Sequence, residues 1–125
     1  MSDEDQMTSK RPDVGYVDIY LLPVPEKDLE AYKRGATSFG AVAKELGALS
    51  YREFRGEDLD EAMQAAAADG ELLTSAVAEF ESRAHRDDVM ARVLEDPRVK
   101  ELMTQESPAR MDKMRYGGFE TIVDP

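Results

Sequence analysis

Residues 14–28, Val14-Gly15-Tyr16-Val17-Asp18-Ile19-Tyr20-Leu21-Leu22-Pro23-Val24-Pro25-Glu26-Lys27-Asp28, decide the fold. β-Branched and aromatic residues crowd the first part and alternate imperfectly with the rest, which predicts a strand over 14–24. Successive strand side chains point to opposite faces, so Val17, Ile19 and Leu21 share one side. Tyr16, Asp18, Tyr20 and Leu22 share the other. Pro23 and Pro25 are expected to stop the strand, because proline cannot donate to a sheet ladder. Pro25 then opens a helix with Glu26 and Asp28 in its first turn, where acids suit the dipole. Leu29, Tyr32, Ala36, Phe39, Ala43 and Leu46 recur every three or four residues as one apolar stripe. Gly47 stands where a helix C′ residue belongs.

The strand-then-helix order returns downstream. Residues 71–81 read as a strand, and Ser82 is a good N-cap for a helix over 83–95. Val89, Met90, Val93 and Leu94 are its expected core residues. Asp96-Pro97 ends this helix, and a further short one is expected over 99–103. Residues 48–54 and 113–123 supply two more strands, the first with Leu49, Tyr51 and Glu53 on one face and Ser50, Arg52 and Phe54 on the other. Residues 56–70, acidic and Ala-rich, read as an exposed excursion with a helical turn or two. Gly117-Gly118 in the last strand predicts a bulge or the close approach of another group. The order is βαββαβ: an α+β, ferredoxin-like fold with a four-stranded antiparallel sheet and two main helices on one face. The second sheet face is left open, and an exposed apolar face calls for a partner, here a second copy in a two-fold homodimer. Strand parity alone leaves open which face carries Tyr16, Tyr20 and Tyr51.

The 125 residues make one domain over 14–125, with residues 1–13 expected to be a disordered acidic leader. With no cysteine, the chain has no disulfide, thiolate nucleophile or cysteine-held metal, and a reducing cytoplasm is the expected setting. A net charge of -11 repels nucleic-acid phosphates and anionic membrane surfaces. Only six of the 16 basic residues are lysine, a balance that suits a salt-adapted source as well as an ordinary acidic protein. No apolar run approaches the ~20 residues of a membrane span.

Several blocks resemble a small bacterial family of unknown function, domain-of-unknown-function family fourteen-twenty-eight. They are Tyr16-Val17-Asp18, Leu22-Pro23-Val24-Pro25, Leu29-Glu30-Ala31-Tyr32 and Gly47-Ala48-Leu49-Ser50-Tyr51-Arg52-Glu53. Ser82-Arg83-Ala84-His85-Arg86-Asp87, Asp96-Pro97-Arg98 and Met114-Arg115-Tyr116-Gly117-Gly118-Phe119-Glu120 continue the match. The resemblance implies the dimeric α/β-barrel superfamily, which also holds cofactor-free quinol monooxygenases, stress-responsive barrel proteins and haem-binding chlorite dismutase relatives. It implies a homodimer and imports no activity. Ile19 stands where the pattern has glycine, and the excursion before the third strand is unusually acidic.

The chemistry-bearing candidates are few. His85, the single histidine, sits in the first turn of the second helix, where the dipole favours neutral imidazole. It is the candidate base or haem ligand, against a capping or packing role. Arg86 can hold a carboxylate or enolate, or pair with Asp87, Asp88 or Glu79. Asp18, Tyr20, Tyr51, Arg52, Arg86 and Tyr116 form a candidate ligand-binding set, an aromatic lining with a few polar groups. The same tyrosines would also suit a dimer interface. Asp18 is an acid–base candidate if buried, with Arg52 or Arg115 as its expected partner. No phosphate loop, nucleophile elbow or metal-ligand motif is present, so neither metal nor cofactor is expected. The leading expectation is small-molecule binding in a homodimeric barrel. The alternatives are a cofactor-independent monooxygenase-like or isomerase-like enzyme for aromatic or enolisable substrates, and a non-catalytic dimerising scaffold.

Overall fold

A computed structural model describes residues 13–125, so the expected leader, Asp13 apart, lies outside the described residues. Strands β1 (Tyr16–Pro25), β2 (Ser50–Arg55), β3 (Glu71–Phe80) and β4 (Arg115–Glu120) form one sheet in the order β2-β3-β1-β4. Every neighbouring pair is antiparallel. Helices α1 (Leu29–Glu45) and α3 (Arg83–Glu95) follow β1 and β3, the former after a 3-10 turn at Glu26–Asp28 where a helix start is expected; the short α2 (Glu61–Gln64) and α4 (Pro97–Met103) and a second 3-10 turn at Met111–Lys113 lie in the connections. This is the ferredoxin-like βαββαβ arrangement, with β3 inserted between the two strands that α1 connects.

Local chemistry sets the element boundaries. Ser82 Oγ accepts from the His85 N–H and Asp60 Oδ1 from the Met63 N–H, capping α3 and α2. Asp96 Oδ1 accepts from the Arg98 N–H, with Pro97 at the first position of α4. Gly47 closes α1 at φ +129°, in the left-handed region that favours glycine. Strand β1 runs through both prolines rather than stopping at them. Its pairing with β4 ends at Leu21, and beyond it the Arg110 N–H donates to Pro23 O at 2.9 Å; the proline nitrogen lies on that same side, away from β3, so its missing donor breaks no ladder.

The main core lies between the sheet and the helices: Val42 and Ala43 of α1, Ala78 and Phe80 of β3, Val89 and Val93 of α3, and Val99 of α4. Leu94 is 46% exposed, contrary to the expected core set, because it lies one position round the helix from buried Val93. Gly117 and Gly118 make no bulge: their register with Ile19 and Asp18 is unbroken. A Cβ on Gly118 would stand 2.3 Å from Tyr16 Oη, so the glycine admits the close approach of that ring.

Directly opposed residues share a sheet face. Core residues Ala78 and Phe80 oppose Asp18 and Tyr16, and Tyr51 opposes Ala78, so these three side chains lie under the helices. Val17, Ile19, Leu21 and Val77 take the other face, with Phe54 and Phe119 44% and 54% exposed there. The open face is thus the aliphatic one.

Candidate functional site

All five tyrosines of the chain gather on the helix-covered side of the sheet. Tyr16, Tyr20, Tyr51 and Tyr116 come from strands in register, and Tyr32 comes down from α1 to meet Glu53 of β2. The small side chains of Ala76 and Ala78 leave room between them. Two carboxylates, Asp18 and Glu53, each anchor part of this cluster.

Asp18 is fully buried on the central strand β1. Arg86, one turn into α3, donates from Nη1 to Asp18 Oδ1 at 2.5 Å and to Tyr116 Oη at 2.9 Å. Its Nε donates to Asp87, and its guanidinium lies 4.9 Å from the centre of the Tyr16 ring. Tyr116 in turn stacks on Tyr20 at 4.7 Å. Burial raises the Asp18 pKa above the ordinary carboxylate value, opposed by the charge and hydrogen bond of Arg86. Asp18 Oδ2 has no hydrogen-bond partner among the described residues.

Glu53 anchors the other end. Its Oε1 accepts from Tyr32 Oη at 2.5 Å, and its Oε2 accepts from Tyr51 Oη. Burial pushes the Tyr32, Tyr51 and Tyr20 hydroxyls well above the ordinary phenol value, and Glu53 adds to the effect. They are therefore protonated donors at neutral pH. Gly40 of α1 packs on the Tyr51 ring, and Phe39 meets that ring edge-on at 5.6 Å. Beside them runs a groove of about 440 Å³ between α1 and β2. Tyr32, Ala36, Gly40 and Tyr51 give it apolar walls, Glu53 is its single carboxylate, and Lys33, Lys44 and Arg52 bring positive charge.

The structure brings Asp18, Tyr20, Arg86 and Tyr116 together as one contact network and places Tyr51 in the neighbouring groove. Arg52 reaches the groove only at the β2 edge, with its guanidinium 5.4 Å from the centre of the Phe54 ring. Neither Arg52 nor Arg115 pairs with Asp18: their register puts both on the opposite sheet face, and Arg86 takes the role. His85 makes different contacts. Its Nδ1 accepts from the Glu81 N–H at 3.0 Å and its ring packs edge-on against Phe80. One nitrogen is thus committed to capping α3. Among the described residues no group of three His, Cys, Asp or Glu side chains is placed to hold a metal ion.

Sequence reasoning passed over Tyr16, Tyr32 and Glu53 as site residues. The signal for Glu53 was its shared strand face with Tyr51; that for Tyr16 was its shared face with Asp18. Tyr32 was concealed within the apolar stripe of α1.

A family model described as a protein of unknown function (DUF1428) matches residues 15–112. This chain belongs to that family. The match takes in Asp18, Tyr32, Glu53 and Arg86, and stops before Tyr116 on β4. The uncharacterized protein YbaA of Escherichia coli strain K12 is 32% identical over 115 residues, 87% of this chain and 97% of that protein. A solved structure, a dimeric ferredoxin-like protein from an uncultured marine organism, superposes with a TM-score of 0.53. It is 9% identical and covers 94% of this chain and 96% of its own, which shows the shared fold. No described helix is long and apolar enough to cross a membrane.

Proposed function

We propose that this DUF1428 protein is a homodimer that binds a small hydroxylated, flat acid in the groove between α1 and β2. The observation that carries the ligand reading is Glu53. Its carboxylate is held in place by two half-buried phenols beside an apolar-walled groove. Each carboxylate oxygen retains a lone pair for a further donor. A ligand hydroxyl donates to Glu53, the rings of Tyr32 and Tyr51 take its flat face, and Lys44 and Arg52 attract its acid group, Lys33 being paired with Glu30 at 3.2 Å. These cations stand out on a chain of net charge -11.

The dimer reading is carried by the open sheet face, where Val17, Ile19, Leu21 and Val77 lie side by side and Phe119 is half exposed. The description of the marine neighbour as dimeric supports it. The cysteine-free composition supports a cytoplasmic setting.

An amide NMR titration with 4-hydroxybenzoate, against benzoate as control, tests the ligand reading. The expected result is shifts centred on Gly40, Tyr51 and Glu53, and binding about tenfold tighter than for benzoate, the value of one hydrogen bond to a charged group. Glu53→Gln should narrow that difference. Shifts centred elsewhere, or none at millimolar ligand, would refute it. Sedimentation velocity gives the oligomeric state.

A further inference from the structure

We propose that residues 122–124 of a second copy dock in a groove at one end of the open sheet face, so that two chains exchange C-terminal segments. The proposal rests on the homodimer reading and names the contact that locks the pair. The groove, about 410 Å³, has Leu21, Pro23 and Leu73 on its floor and Met114 on its wall. Lys113 and Arg115 also line it, and its one acid, Asp112, is paired with Arg110 at 3.0 Å. Among the described residues Lys113 and Arg115 form no ion pair. The groove therefore sets a few apolar side chains at its base among a mostly polar lining, with two cations at the rim.

Residues 122–124 match that pattern in reverse. Ile122 and Val123 are 86% and 74% exposed, the two most exposed large hydrophobic side chains of the described residues, and Asp124 follows them. Two adjacent aliphatic side chains left in water next to an acid suit a groove that pairs apolar side chains at its base with cations at its rim.

The segment cannot fill its own groove. Thr121 is tied down at the far end of β4: its N–H donates to Gly15 O at 3.0 Å and its hydroxyl to Val14 O at 2.8 Å. The groove lies at the start of β4, by Arg115, six residues back. At ~3.4 Å per residue that is ~20 Å, whereas Ile122 and Val123 reach only ~3–7 Å beyond Thr121. When two open faces pack with their strands antiparallel, the tail end of one copy lies over the groove end of the other. The two-fold axis then makes the exchange reciprocal.

The absence of native cysteine makes the test direct. Val123→Cys and Ala66→Cys chains, each prepared singly, are mixed and oxidised; Ala66 lines the groove. A disulfide joining one variant to the other, absent when either is oxidised alone, is expected. The paired change Ile122→Ser and Val123→Ser should weaken the dimer at least about tenfold in sedimentation, with circular dichroism unchanged. A dimer that persists at wild-type affinity, with no mixed disulfide, would overturn the tail docking and leave the dimer standing. A wild-type chain that sediments as a monomer at every concentration would overturn both.

Discussion

Arg86 and Asp18, 68 residues apart in sequence, form the one ion pair that joins helix α3 to the central strand β1 among the described residues. The Asp18 side chain is 1% exposed and that of Arg86 12%, so each charge depends on the other for stabilisation. Removing one partner strands a buried charge. Arg86→Ala is expected to destabilise the fold by about 3–5 kcal/mol in urea unfolding. Replacing both, Asp18→Leu with Arg86→Leu, should recover most of that loss. If Arg86→Ala costs under about 1 kcal/mol, the pair is not holding the helix to the sheet.

The same pair predicts a pH dependence with a defined sign. Burial raises the pKa of Asp18 in the folded state, so the native chain keeps this proton to higher pH than the unfolded chain does. Its contribution is therefore most favourable in acid and declines as pH rises past the ordinary value of 3.8. Asp18→Asn should flatten that decline. The check is the urea midpoint of both chains from about pH 4 to about pH 6; parallel curves would contradict it.

Asp96 works in the opposite direction. Its hydrogen bonds from the Arg98 side chain and backbone lower its pKa from 3.8 to about 2. The stability it provides is complete above 3.8 and is lost as pH falls through about 2. Asp96→Ala should remove this acid-side loss and also fray the start of α4, seen as faster amide exchange at Arg98 and Val99.

Two glycines of α1 should respond oppositely to the same change. A Cβ on Gly35 meets nothing within 4 Å, so Gly35→Ala should stabilise by about 0.5–1 kcal/mol through helix propensity alone. A Cβ on Gly40 would stand 2.4 Å from the Tyr51 ring, so Gly40→Ala should destabilise by about 1–3 kcal/mol despite the same gain. It should also displace Tyr51 from Glu53 and weaken 4-hydroxybenzoate binding. Thermal unfolding of the two variants checks the contrast.

Alkaline titration reads the tyrosine cluster. Tyr20, Tyr32 and Tyr51 are all pushed above the ordinary 10.0, chiefly by burial. The folded chain thus keeps these protons where the unfolded chain loses them, and stability falls as pH climbs past 10.0. Phenolate absorbance should show fewer than the chain's five tyrosines ionising while the fold persists, and the remainder only on unfolding. All five ionising together near pH 10 in the folded protein would mean that the hydroxyls are not buried donors.

The order of strands and helices was legible along the chain, because that information is local. An alternation of two across residues 14–24 and a repeat of three or four from Leu29 to Leu46 each read directly as strand and helix. Ser82 and Gly47 marked helix ends through side-chain and backbone chemistry confined to a few residues. Strand parity also put Asp18 with Tyr20, and Tyr51 with Glu53, on common faces. Which faces the helices cover was settled by packing between distant elements. Parity divides a strand into two sets but carries no sign, and the choice is made by packing Phe80 and Ala78 against α1 and α3. That choice put the tyrosines inside and the aliphatic residues outside. It gave Asp18 the distant Arg86 in place of Arg52 or Arg115, and it brought Tyr32 down onto Glu53. Partners so far apart in the chain meet only once the sheet has closed under its helices.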